Sequence, residues 1–329
     1  MGLSPARSIC RMKGLSKETV TWLDLGEEAA GQRIDNFLLR VLKGVPKSHV
    51  YRILRSGEVR VNSRRADPTL RLQAGDRVRV PPIRVAATPT AAAPAAALGA
   101  RIVFEDEALL VIDKPSGIAV HGGSGISFGV IERLRAERTQ LRFLELVHRL
   151  DKETSGVLLL AKKRSALTGL HEQIRLGRTG KRYLVLVKGD WRTPKQTVRL
   201  ALERHVLPSG ERRVSVSEDG KASLTTFRLQ RRYGEFTLLE AELKTGRTHQ
   251  IRVHLAHLGF PIAGDDKYGD FALNKTLARS GLKRLFLHAA RFECDHPATG
   301  EPLVLEAPLA PDLAAFLAQL EAAPLTASA

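Results

Sequence analysis

"HRLDKETSGVLLLAK", residues His148 to Lys162, sets a carboxylate, Asp151, between Arg149 and Lys152 and then runs into Val157, Leu158, Leu159 and Leu160. The aliphatic block reads as a strand, which places Asp151 at the edge of a core. An Asp between two cations is either an exposed ion-paired residue or a working carboxylate, and these residues alone leave both readings open.

Outward from this stretch, "RIVFEDEALLVIDKPSGIAVHGG" offers a strand over Leu109 to Ile112 and a turn at Pro115, Ser116 and Gly117. "RYLVLVKG", "TTFRL" and "FTLLEAEL" read as further strands, with helical stretches at about 129–137 and 165–176. The pattern predicts an α+β domain over residues 101–310 with a mainly antiparallel sheet. It lacks the regular strand-helix alternation of a doubly wound fold. "PDLAAFLAQLEAA" predicts an amphipathic helix opened by Pro311 within a C-terminal segment, 311–329. "VAATPTAAAPAAALGA", Val85 to Ala100, carries no charge and reads as a linker. Residues 1–30 read as a mobile tail, and no internal repeat is visible.

The segment Gly31 to Arg84 carries 13 Lys and Arg against 4 Asp and Glu. "RIDNFLLRVL" spaces Ile34, Phe37, Leu38, Val41 and Leu42 at helical intervals, and Pro46 opens a second helix that Gly57 ends. "EVRVN" and "DRVRV" alternate as strands do. Two short helices leading into strands, with Lys47, Arg52, Arg55, Arg60, Arg64 and Arg65 around the joins, resemble the S-four-type RNA-binding fold. That resemblance makes these six residues candidates for RNA contact.

Across 329 residues, 52 Lys and Arg against 35 Asp and Glu leave a formal charge of +17. Such an excess points to a polyanionic partner, nucleic acid before an anionic membrane surface. Cys10 and Cys294 are far apart in the chain, which argues against a disulfide framework and fits a reducing compartment. No run approaches the roughly 18 apolar residues of a membrane span, and "MGLSPARSICRMKG" has no signal-peptide core, so a soluble cytoplasmic protein is expected.

Several motifs compete for the chemistry. "GISFG", Gly125 to Gly129, matches G-x-S-x-G, with Asp265 and His288 following in a serine hydrolase's order, but it is approached through "HGGSG" and not a buried strand. No phosphate-cradling glycine loop is present, so no nucleotide cofactor is expected. His249, His254 and His257 in "THQIRVHLAH" lack H-E-x-x-H or C-x-x-C company, and Asp265, Asp266 and Asp270 lack EF-hand spacing. No metal site is expected.

"VHRLDKETSGVLLLAKK", "KRYLVLVKG" and "LKTGRTHQIRVHLAHLGFPIAGDDKYG" resemble the signature motifs of the RluA-type pseudouridine synthases. "GQRIDNFLLRVLKGVPKSHVYRILRSGEVRVN" and "VHGGSGISFGVIERLRA" are similar to the RluC-like branch of that family, which modifies large-subunit ribosomal RNA. The resemblance spans about residues 30–310 and implies a mixed-sheet catalytic domain of pseudouridine synthase type behind the S-four-type domain. It places the catalytic aspartate at Asp151, its basic partner at Arg247, the active-site tyrosine at Tyr183 and a base-flipping arginine at Arg149. The implied reaction isomerises uridine to pseudouridine without a cofactor. The implied partner is large-subunit ribosomal RNA or the assembling subunit, met by a monomer. The rival from another class is a non-catalytic, ribosome-associated RNA-binding protein.

Overall fold

A computed structural model describes residues 19–42, 45–83, 97–122, 128–207 and 211–322. The chain divides into two units, Met1–Ala95 and Ala96–Ala329.

In the first unit, strand β1 (Thr21–Asp24) precedes helices α1 (Ile34–Val41) and α2 (Lys47–Arg55), followed by strands β2 (Arg60–Val61), β3 (Arg64–Arg65) and β4 (Arg77–Val80). The helices bury the faces that their spacing predicts: Ile34, Phe37 and Leu38 on α1, and Val50, Ile53 and Leu54 on α2. Pro46 caps the start of α2, and Gly57, at φ +76°, takes the chain out of it. Asn62 and Ser63 both hold positive φ, as the two-residue turn between β2 and β3 requires. The sheet runs β1-β4-β2-β3, all antiparallel.

The expected tail before Gly31 is corrected from Thr19 onward. β1 pairs with β4, setting Leu23 opposite Val78, and Leu23 and Leu25 are buried. "TWLDL" carries only two apolar residues at period two, a signal too short to notice until β4 supplies the partner. Residues 1–18 lie outside the described residues, as do Arg84 and residues 85–96 of the expected linker. Leu98, also assigned to that linker, is buried in the core of the second unit.

The second unit comprises strands β5 (Arg101–Glu105) and β6 (Leu109–Lys114), helix α3 (Val130–Glu137), strands β7 (Glu145–Leu146) and β8 (Ser155–Ala161), helix α4 (Arg164–Arg175), strands β9 (Gly180–Lys188), β10 (Lys195–Val206), β11 (Arg212–Val216), β12 (Lys221–Tyr233) and β13 (Phe236–Leu243), helices α5 (Gln250–His257) and α6 (Phe271–Arg279), strands β14 (Leu287–Asp295) and β15 (Pro302–Glu306), and helix α7 (Pro311–Ala322). One sheet runs β11-β10-β12-β13-β9-β14-β8-β6-β5 and is antiparallel except where β14 meets β8. This is an α+β fold with a mainly antiparallel mixed sheet.

The aliphatic block is continuous because β6 and β8 are covered on both faces. Leu110, Ile112, Leu158 and Leu160 enter the core shared with α3, α5 and α7, whereas Leu109, Val111, Val157 and Leu159 pack against Leu167 and Leu170 of α4. Each such fully buried leucine contributes roughly 2 kcal/mol. Gly156 makes the parallel junction possible: a Cβ there would stand 2.2 Å from the Ala289 carbonyl oxygen, and its φ is +108°. The carboxylate-bearing loop thereby reaches the sheet beside β14 and β9.

Candidate active site

The loop that carries Asp151 is pinned on both sides. Before it, the His148 ring stacks on Phe292 at 5.1 Å, and its Nε2 accepts the Leu159 N–H at 3.2 Å. Burial, with help from the nearby Lys181 charge, pushes His148 down to about 3, so the ring is neutral and can act as that acceptor. After it, the fully buried Lys114 donates to the carbonyls of Pro115, Ile118 and Lys152, and Ser116 Oγ donates to the Glu153 carbonyl. The "DKPSG" turn therefore serves as a brace for the Asp151 loop.

Asp151 is half-buried and faces the start of α5, which the "KTGRTHQIR" turn builds. Gln250, fully buried, accepts from Thr245 Oγ1 and the Arg247 N–H and donates to the Leu224 carbonyl and Thr225 Oγ1. Each hydrogen-bonding atom of its side chain is thus used inside the fold. His249 enters the helix at φ +53°, a left-handed conformation that redirects the chain.

The next turn settles which arginine meets the carboxylate. Arg252 Nη1 stands 3.7 Å from Asp151 Oδ2, while its Nε and Nη2 hold both oxygens of the buried Asp265 at 2.8 and 2.7 Å. Its guanidinium also lies 5.1 Å from the centroid of the Tyr268 ring. Burial alone would raise the Asp265 carboxyl, but Arg252 and the amides of Tyr268 and Lys267 prevail and hold it low. Asp265 thus keeps Arg252 aimed and charged. Arg247, the counter-charge expected from sequence, is exposed and donates through Nε to the Ala222 carbonyl at 3.2 Å. The two arginines share one motif, and the left-handed His249 between them together with Asp265 decides which turns toward Asp151.

His249 Nε2 lies 3.9 Å from Asp151 Oδ2, and its Nδ1 is 2.8 Å from the Tyr268 hydroxyl. That hydroxyl also accepts the Val214 N–H at 3.0 Å. Tyr183 is buried on β9 with Ala241 and Ala289 opposite it, small neighbours that leave its ring room. Burial and the Asp151 charge both push its phenol above the ordinary range, so it stays protonated. Arg149, Asp151, Lys181, Tyr183, Arg247 and Arg252 all line one cavity of about 660 Å³.

The competing motifs are used differently. His288 meets Ser155 Oγ at 2.9 Å and the Ala307 carbonyl at 3.2 Å, and Asp265 serves Arg252, so the two hydrolase partners never meet. Gly125 to Ser127 lie outside the described residues. The three histidines diverge: His249 faces Asp151, His254 is buried against Ser223, and His257 is exposed. Sequence reasoning missed Arg252, and a signal existed, since a charge set among Ile251, Val253 and Leu255 calls for a buried partner.

Comparison with known proteins decides the family. The model of RNA pseudouridylate synthases matches residues 108–257, and that of the S4 domain residues 32–78. A ribosomal large subunit pseudouridine synthase C of Pasteurella multocida is 55% identical over 308 residues, covering 92% of this chain and 94% of that protein. The chain belongs to the RNA pseudouridine synthase family. Another relative of this synthase, named ribosomal large subunit pseudouridine synthase C, from Escherichia coli strain K12, is 56% identical over 289 residues, 86% of this chain and 91% of that protein. Among solved structures, human RNA pseudouridylate synthase domain containing 4 aligns with a TM-score of 0.56 at 26% identity, covering 67% of this chain and 93% of that one. The synthase thus carries an S-four-type domain ahead of its catalytic domain. On the first unit, Lys47, Arg52, Arg55, Arg60, Arg64 and Arg65 are exposed along α2 and the β2–β3 hairpin. Among the described residues no helix is long and apolar enough to cross a membrane.

Proposed function

We propose that this synthase converts specific uridines of large-subunit ribosomal RNA to pseudouridine, with Asp151 as the catalytic carboxylate. The observation that carries the reading is the half-buried Asp151 at the cavity wall, 3.7 Å from an Arg252 guanidinium locked by Asp265. The names of the relatives support the ribosomal substrate.

The reaction breaks the N1–C1′ bond, turns the uracil and joins C5 to C1′, releasing the C5 proton while N1 regains one. Atoms and electrons balance within one nucleotide. An ionised carboxylate serves as nucleophile toward the nucleotide or as base for a glycal-like intermediate. Arg252 sets a positive charge beside that carboxylate, and the protonated Tyr183 offers a ring face to the extruded uracil. Removing the uridine from its stack costs a few kcal/mol, which Arg149 and phosphate contacts offset. The six exposed cations of the first unit supply such contacts. The protein acts in the cytoplasm as a monomer, on free RNA or on an assembling subunit.

The test is incubation with unmodified large-subunit RNA carrying tritium at uridine C5. Release of tritium supports the isomerase, whereas binding without release would leave a non-catalytic RNA-binding protein.

A further inference from the structure

Alternation along β9 sends Lys181 and Tyr183 to the same side of the strand, and both line the cavity that holds Asp151. Arg182 between them turns away and is held by Glu240 at 3.9 Å and Glu293 at 3.8 Å. Apart from Arg149, which is exposed, the other Lys and Arg side chains of the cavity wall have partners: Arg252 has Asp265, Arg175 has Glu172, Lys244 has Glu242, and Arg247 has the Ala222 carbonyl. Lys181 differs. Among the described residues no carboxylate lies within ion-pairing distance of its Nζ, although the side chain is half-buried and burial drives its ammonium down with nothing to oppose it.

The position of that ammonium is equally telling. A Cβ built on Gly246 would stand 4.0 Å from Lys181 Nζ, so the side chain reaches across the cavity to the "KTGR" turn, and its charge is felt at His148 beside Arg149. A partly desolvated cation without a counter-ion is costly unless an anion arrives with the ligand. A substrate strand carries one charge per phosphate, and a nucleotide that places its base at Tyr183 must leave a phosphate within a few ångströms of the cavity mouth.

We infer that Lys181 binds a phosphate of the RNA strand adjacent to the extruded uridine, so that the substrate itself completes the ion pair that the fold leaves open. The inference rests on the isomerase reading above. It makes Lys181 a binding residue that holds the nucleotide while Asp151 acts, and it ties chemistry to a backbone contact beside the target.

The experiment uses short RNAs covering the uridines of large-subunit ribosomal RNA, with one neutral methylphosphonate placed in turn at each phosphate flanking a candidate uridine. Single-turnover kcat/KM is measured for the full chain, for Lys181→Gln and for Lys181→Arg. Lys181→Gln should lose roughly 10- to 100-fold on unsubstituted RNA, as expected for a charge-assisted contact, and Lys181→Arg should retain most activity. One methylphosphonate should impose a similar loss on the wild type yet cost Lys181→Gln little more. If the two losses multiply at every position, or if the wild type is indifferent to every flanking methylphosphonate, Lys181 does not hold a phosphate. The wild-type series alters only the RNA, so a folding defect in a variant cannot mask the answer. Failure of the wild type to convert the unsubstituted RNA would remove the isomerase reading and this site with it, whereas normal conversion with indifferent methylphosphonates removes the phosphate site alone.

Discussion

Arg252→Met separates the two tasks assigned to the guanidinium. Arg252 and Asp265 are 6% and 1% exposed, so deletion of the arginine leaves a bare buried carboxylate, a loss of about 3–5 kcal/mol and roughly 10 °C in Tm for a unit of this size. Its second task is the charge facing Asp151. Unit charges at about 4 Å interact by about 4 kcal/mol at an effective dielectric near 20, and the 22% exposure of Asp151 screens that to about 2 kcal/mol. The rate at saturating RNA should therefore fall by roughly 30-fold, and toward 1,000-fold as bound RNA excludes water. Arg252→Met combined with Asp265→Asn removes the bare carboxylate, so stability should largely return while the rate does not. Arg247→Met, at an exposed side chain, should change stability by less than about 1 kcal/mol and act mainly on RNA affinity. The assays are urea denaturation, tritium release in a single turnover, and a binding isotherm for each variant. A larger fall in saturated rate for Arg247→Met than for Arg252→Met would refute the assignment, as would recovery of rate with stability in the double variant.

Asp151→Asn should abolish tritium release while leaving RNA affinity within a few-fold, because the amide keeps the shape but is neither nucleophile nor base; normal turnover in that variant would remove Asp151 from the chemistry. Burial holds Lys114 down to about 7 against the opposing pull of Glu153 and Asp151. Between pH 7 and 10.5 the unfolded chain then keeps a proton that the folded chain has released, so stability rises with pH in that window. Lys114→Gln should erase about 2 kcal/mol of the gain seen between pH 7 and pH 9 in urea titrations, and equal gains in both proteins would show that Lys114 stays charged. Replacing Arg60, Arg64 and Arg65 on the exposed hairpin with Gln should weaken RNA binding and lower the slope of log affinity against log salt by about 0.7–0.9 for each phosphate that the hairpin no longer neutralises, with the saturated rate unchanged. An unaltered slope would take the hairpin out of the RNA interface.

Local order was legible because periodicity and capping act over a few residues. The faces of α1 and α2, the start of α2 at Pro46 and its end at Gly57, and the strands β6, β8, β9 and β13 follow from spacing and turn residues alone. The signature motifs also brought Asp151, Tyr183 and Arg149 into one cavity of the fold. What stayed hidden depends on partners distant in the chain. "TWLDL" becomes a strand only when β4 pairs with it, and Leu98 joins a core rather than a linker because α3 and the sheet cover it. Whether Arg247 or Arg252 faces Asp151 turns on the left-handed His249 and on Asp265, thirteen residues beyond Arg252, which grips that guanidinium with both carboxylate oxygens inside the fold. Lys181 carries the same formal charge as its neighbour Arg182. Only strand pairing sets Glu240 and Glu293 beside one of them and leaves the other facing an open cavity. Sequence determines which charges a chain carries and which faces its elements present; tertiary pairing decides which of those charges are neutralised within the fold and which remain for a ligand, because ion pairing is a property of distance in space.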